Sequence, residues 1–154
     1  MSGKKIGGAG LRGQSAGETS ICTVGVSGSG LTYRGYDIVD LAENTSFEEV
    51  AYLLLHDKLP NSQELKDYIE KLKSLRGLQP ELRSTLEGIP KTAHPMDVLR
   101  TGCSVLGNLE QEKGFLNQSD HADRMLSVFP SILCYWYQFS HNGKRIDTET
   151  NDDT

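Results

Sequence analysis

Cysteine is scarce in this chain, positive charge is not in excess, and no long hydrophobic run occurs. The three cysteines, Cys22, Cys103 and Cys134, are odd in number and far apart. That pattern argues against a disulfide framework and against a cysteine-rich zinc site. No stretch approaches the roughly 20 apolar residues that span a bilayer, and 36% hydrophobic with 24% charged residues describes a soluble chain. The formal net charge is −5, so the chain as a whole carries no electrostatic footprint for nucleic acid. Residues 1–11 lack the apolar centre of a signal peptide, and a reduced, cytoplasmic protein is the simple expectation. No internal repeat is present, and no low-complexity segment beyond the Gly/Ser-rich residues 1–20, which carry no periodicity and read as a flexible lead-in. A length of 154 residues suits one domain with a real core.

The motifs of common catalytic sites are missing as well. Gly28-Ser29-Gly30 is no phosphate loop, because no Gly-Lys-Ser/Thr follows and no strand–loop–helix context surrounds it. There is no Gly-x-Ser-x-Gly nucleophile elbow. None of the four histidines pairs with another at i, i+4 beside a carboxylate in metal-ligand spacing. His94 precedes Pro95 and reads as a helix N-cap. His56 ends a helix, where a cation is favoured. His121 falls in a first turn, and His141 follows a long helix whose carbonyls it could cap. Cys22 lies in a strand and Cys103 and Cys134 on apolar helices, so buried thiols are expected rather than nucleophiles. Acid–base chemistry needs converging titratable groups, and no such set assembles here.

What is present is a helical pattern behind a short β segment. Residues 21–26 and 31–36 are rich in β-branched and aromatic side chains and flank a Gly/Ser turn, which predicts a β-hairpin over 21–36. Residues 37–42 suggest one short turn. Ser46 with Glu49 is a capping box opening a helix with Phe47, Val50, Ala51, Leu54 and Leu55 on one face. Asn61 with Glu64 caps the next helix, which runs to about Arg76 with Leu65, Tyr68, Ile69 and Leu72 inward. Gly77 suits the left-handed position that ends it. Lys66, Lys71, Lys73 and Arg76 on this helix read as a solvated face. Pro80 opens a short helix to Gly88.

Pro95 opens a further helix with Val98, Leu99, Gly102, Val105, Leu106 and Leu109 at spacings of three and four. Its neighbouring face is small, made of Gly102, Cys103, Ser104 and Gly107, which permits close approach of another backbone. A glycine inside a helix costs roughly 1 kcal/mol against alanine, so a compensating contact is expected. Ser119 caps a long helix ending near Ser140, carrying Met125, Leu126, Phe129, Ile132, Leu133 and Trp136, with Pro130 inside it as a kink. Residues 141–154 are a polar, acidic tail. The expected class is all-α with a small N-terminal β-hairpin.

Several pieces of the text resemble one family when taken in order. They are Cys22-Thr23-Val24-Gly25, Tyr33-Arg34-Gly35-Tyr36-Asp37-Ile38 with Asp40-Leu41-Ala42-Glu43, and Phe47-Glu48-Glu49-Val50-Ala51. They continue with Lys58-Leu59-Pro60, Leu75-Arg76-Gly77-Leu78, His94-Pro95-Met96-Asp97-Val98, and Tyr135-Trp136-Tyr137 through Ser140-His141-Asn142-Gly143. From about Ala16 to Asp153 the chain resembles the citrate synthase family, and the Tyr135-Trp136-Tyr137 and Ser140-His141-Asn142-Gly143 pieces favour its 2-methylcitrate synthase branch.

The resemblance implies a condensing enzyme. It joins propionyl-CoA or acetyl-CoA to oxaloacetate and hydrolyses the thioester, with the acyl-CoA as substrate and no bound cofactor. An Asp takes the proton beside the thioester carbonyl, one His steadies the enol, and a second His polarises the ketone. None of the four histidines here matches those positions, so the resemblance implies that the His/His/Asp set lies beyond Thr154. The chain is then the N-terminal part of the large helical domain, inactive alone. The family further implies a homodimer through helices 95–109 and 119–140, with Met96, Leu99, Gly102, Cys103, Leu106, Ile132, Leu133 and Trp136 at the interface. Lys71 is a candidate contact to an anionic substrate in the whole enzyme. Truncation would leave Leu99, Leu106 and Trp136 bare, a patch that invites association. The competing reading is a stand-alone helical interaction protein that dimerises with the full-length synthase.

Overall fold

A computed structural model describes residues 17–25, 30–111, 114 and 117–150. The chain divides into two compact units, Met1–Leu59 and Pro60–Thr154. Of the expected lead-in, residues 1–16 lie outside the described residues, and 17–20 are exposed.

The first unit carries three antiparallel strands in the order β1 (Cys22–Val24), β2 (Leu31–Tyr33), β3 (Tyr36–Asp37). Cys22 stands opposite Tyr33 and Val24 opposite Leu31, so the expected hairpin forms. Most of its turn, residues 26–29, lies outside the described residues. The sheet is one strand larger than expected. Arg34 and Gly35, with φ of 49° and 90°, reverse the chain between Tyr33 and Tyr36. Two positive φ values in a two-residue loop match the twist of a hairpin, and Gly35 takes the second without steric cost.

Asp37 accepts from the Val39 N–H at 2.8 Å and caps α1 (Ile38–Asn44), longer than the single turn expected. The capping box forms as read. Glu49 N–H donates to the Ser46 hydroxyl at 3.3 Å and Ser46 N–H to the Glu49 carboxylate at 2.7 Å, opening α2 (Phe47–His56). The face expected on α2 needs correction. Phe47 is 62% exposed, whereas Leu53, absent from the expected stripe, is fully buried. Ala51, also buried, lies about 200° from Leu53 at 100° per residue. The helix is therefore covered on two sides, which a single-stripe reading misses. It ends at Asp57, a non-glycine residue with φ of 64°, whose carboxylate pairs with Arg34.

The second unit holds α3 (Ser62–Ser74), α4 (Pro80–Glu87), α5 (Pro95–Leu109) and α6 (Gln118–Asn142). Asn61 accepts from the N–H groups of Gln63 and Glu64, both at 2.9 Å, and Glu64 reaches back to Asn61 N–H at 2.8 Å. The expected left-handed Gly77 is corrected. Helix α3 stops at a Leu75 cap with φ of −98°, and Gly77 is not among the positive-φ residues. A Cβ on Gly77 would lie 3.1–3.3 Å from Glu149, so the glycine admits a close neighbour instead of a backbone reversal.

Leu78, Leu82, Leu86, Val98, Leu106, Val128, Ile132, Tyr135 and Trp136 form the core, drawn from α4, α5, α6 and the α3–α4 connection. Gly102 meets Ile132 there: a Cβ at 102 would stand 2.9 Å from Ile132 Cδ1 and 3.0 Å from its Cγ2. The compensating contact is a side chain of the same chain, not another backbone. Helix α6 runs unbroken past Pro130 and two residues beyond its expected end. Its cap is Gly143 at φ 65°, where Gly143 N–H donates to the Phe139 carbonyl and Lys144 N–H to that of Gln138. His141 is consequently inside the helix, stacked on Tyr137 at 4.3 Å, rather than capping it.

Candidate functional site

The helix faces expected to meet a second copy separate into two groups. Gly102 is buried within the chain, and Leu106, Ile132 and Trp136 are each no more than 5% exposed. Their surface is used by the intramolecular core, so Leu106 and Trp136 are not bare as expected. Leu99 and Leu133 are half-buried and pack against that core. Met96 is 63% exposed and Cys103 half-buried.

What remains open is a groove of about 360 Å3 between α5 and α6, lined by Met96, Leu99, Arg100, Cys103, Ser104 and Phe129. A second hollow of about 310 Å3 shares Cys103 and is lined by Leu106, Gly107, Glu110, His121, Arg124 and Met125. The groove forms because α5 places Met96, Leu99 and Cys103 on one face at spacings of three and four, and small residues keep its floor low. Helix α5 starts where it does because Pro95 fits a first turn and His94 Nδ1 accepts from the Met96 N–H at 3.2 Å.

Charge is concentrated in braces, which the sequence reading missed. Lys71 donates to Asp123 at 2.7 Å and Asp120 at 2.9 Å, and Tyr68 donates to Asp123 at 2.9 Å. The hydrogen bond to Asp123, opposed by partial burial, holds the Lys71 ammonium above its ordinary range, while Lys71 pulls the Asp120 carboxyl down. Lys71 is thus engaged by two carboxylates rather than presented to solvent as a free cation. Arg124 donates to Glu110 at 2.9–3.1 Å and also to the Leu75 carbonyl, and Gln79 donates to Glu110 at 2.8 Å.

A third brace joins Glu87 to Tyr135 at 2.7 Å and to Arg145 at 2.7 and 2.8 Å. Arg145, then Tyr135, lower the Glu87 carboxyl from an ordinary 4.5 to about 2. Burial, then the bond to Glu87, raises the Tyr135 phenol. A signal for the first two braces does exist: Asp123 and Arg124 continue the stripe of Ser127, Val128, Ser131 and Ile132 toward the start of α6. Charges on an inward stripe require partners.

Three of the histidines have local partners. His56 stacks on Tyr52 at 4.2 Å, His121 meets Asn117 at 3.1 Å, and His94 is a cap. The cysteines are not buried as expected: Cys22 and Cys103 are half-exposed and Cys134 exposed. The reason is that Cys134 follows the outward side of α6, between Ile132 and Tyr135 on the inward one. Among the described residues no three His, Cys, Asp or Glu side chains could hold a metal, and no helix is long and apolar enough to cross a membrane.

The described residues thus form a helical unit with an open groove beside α5, and the relatives of the chain share its fold. The sequence profile described as "Citrate synthase, C-terminal domain" matches residues 10–154. The chain is 67% identical over 150 residues to a 2-methylcitrate synthase of Shewanella oneidensis, covering 97% of this chain and 40% of the relative. It is 42% identical over 128 residues to 2-methylcitrate synthase 2 of Corynebacterium glutamicum, covering 80% and 33%. Among solved structures, citrate synthase from Thermotoga maritima superposes with a TM-score of 0.76 at 37% identity, covering 90% of this chain and 36% of that one. The chain therefore spans 40% or less of the length of these proteins. Sequence and fold together make it a member of the citrate synthase family.

Proposed function

We propose that this chain is the N-terminal segment of a cytoplasmic 2-methylcitrate synthase. The whole enzyme condenses propionyl-CoA, or acetyl-CoA, with oxaloacetate and water to give 2-methylcitrate, or citrate, and free CoA, a step suited to propionate catabolism. The segment contributes scaffold and dimer interface, and without the rest of the enzyme it is inactive. The observation that carries the reading is the 67% identity to a 2-methylcitrate synthase across 97% of the chain. A more distant neighbour of the same fold, the citrate synthase from Thermoplasma acidophilum, is described as a ternary complex with carboxymethyl coenzyme A and oxaloacetate.

The dimer contact is assigned to the open part of the expected surface: Met96, Leu99, Cys103 and Leu133, with Phe129 and Met125 beside them. Gly102, Leu106, Ile132 and Trp136 support that face from beneath. Lys71 acts on the scaffold through Asp123 rather than on substrate. The deciding experiment is CoA release from propionyl-CoA and from acetyl-CoA with oxaloacetate, run on this chain and on the extended reading frame. Activity in the longer protein only, greater with propionyl-CoA, is the expected result. Silence in both would overturn the assignment, and activity in the 154-residue chain would overturn its role as scaffold.

One observation favours a second reading, the stand-alone partner of a full-length synthase: the residues of the core cluster all fall within Pro60–Thr154. That reading requires this chain to co-purify with the full-length synthase as a heterodimer.

A further inference from the structure

We propose that residues 144–150 form a strap that opens and closes over α4 as a separate unit, hinged at Gly143 and pinned at Glu87 and Arg83, while the helical core beneath stays folded. The inference does not depend on the reaction proposed above.

The sequence reads this segment as a polar tail with no element of its own, and none forms. It is nevertheless docked. Arg145 grips Glu87 with two nitrogens, at 2.7 and 2.8 Å. Ile146 packs against the core, and Thr148 is 6% exposed. Glu149 lies 3.6 Å from Arg83 and fills the space left by the missing Cβ of Gly77. Arg76 donates to the Thr150 carbonyl at 3.3 Å.

These attachments are side-chain pins. Among the described residues no backbone–backbone hydrogen bond joins 145–150 to the helices beneath. A segment without a ladder can release while the helices keep theirs, so its opening free energy falls below that of global unfolding. The closed position also carries a cost. Among the described residues the buried Thr148 hydroxyl and Arg83 Nε have no hydrogen-bond partner, and both gain access to water on opening. At the hinge, Gly143 already holds the left-handed conformation that ends α6, so the helix does not have to fray for the strap to leave.

The test places a thiol under the strap. Thr148→Cys nearly preserves volume and sacrifices no hydrogen bond. Labelling by a small maleimide is read by peptide mass spectrometry, which separates the new thiol from the native cysteines. A second variant, Val98→Cys, reports the core. The strap thiol at position 148 should label more slowly than a free thiol but faster than the core thiol at position 98. Glu87→Gln or Arg145→Gln should accelerate labelling of the strap thiol by about tenfold or more, as loss of charge-assisted hydrogen bonds implies, with the core thiol remaining far slower. Raising the salt should act in the same direction.

Labelling of the strap thiol at the rate of the core thiol would overturn the proposal, because the strap would then open only with the whole fold. Labelling at the free-thiol rate would also overturn it, as would indifference to Glu87→Gln. Trypsin cleavage after Lys144 and Arg145 of the otherwise unaltered chain, compared with its Glu87→Gln variant, reads the same equilibrium if Thr148→Cys does not fold. Faster cutting at those two bonds, well ahead of any cut within the core, supports the strap; unchanged cutting, or cutting there at the rate of the core sites, refutes it.

Discussion

At the scale of single residues, three positions have measurable consequences. Gly102 leaves no room for a methyl group against Ile132. Gly102→Ala should destabilise by about 1–3 kcal/mol through overpacking, despite the better helix propensity of alanine. Ile132→Val in the same protein should recover part of the loss, read as the urea midpoint of the two variants and their combination. Lys71 compensates Asp123, whose side chain is 1% exposed. Lys71→Ala should cost roughly 2 kcal/mol, less than for a fully buried pair because Lys71 keeps contact with water. Asp123→Asn in that background should restore stability, since the orphaned charge disappears. Glu87 supplies the pH dependence. Its folded value of about 2 lies below the ordinary 4.5, so its contribution is full above about 4.5 and is lost as pH falls toward 2. Denaturant titrations from pH 6 to pH 2 should show a decline that Glu87→Gln makes shallower.

At the scale of elements, what was legible was local. Ser46 with Glu49 and Asn61 with Glu64 are three residues apart, and both capping boxes form. Ser46→Ala should cost about 1 kcal/mol, visible as a lower melting temperature, and Ser46→Asp should retain most of it. The prolines that open α4 and α5 were equally readable, because a fixed φ and a missing N–H act within one turn. What was not legible depended on partners far along the chain. Gly77 reads as a helix stop until Glu149 arrives beside it. Residues 144–150 read as a free tail because nothing nearby in sequence announces Glu87. The second covered side of α2, at Leu53, breaks the one-stripe pattern on which amphipathic readings rest. The charges of Asp123 and Arg124 were visible, but their partners on α3 and at Glu110 were not.

At the scale of the whole molecule, the family was legible from the order of short motifs, whereas the site was legible only in part. Spacing marks which residues share a helix face. It does not say which of them the chain will bury against itself, and four of the eight expected interface residues went that way. The open remainder makes a sharp forecast for association. Met96→Glu puts a charge on a residue 63% exposed, so the fold should survive while self-association weakens. Sedimentation at several concentrations should show the parent shifting toward dimer and the variant remaining monomeric, with matching circular dichroism. An unchanged dimer would move the contact off this groove. The distribution of the core also bears on biosynthesis. Val128, Ile132, Tyr135 and Trp136 all come from α6, the last helix described. On the ribosome, Leu82, Leu86 and Val98 emerge before the surface that covers them exists. The core cannot assemble in step with translation; it waits for α6, and until then the nascent chain offers chaperones an apolar surface.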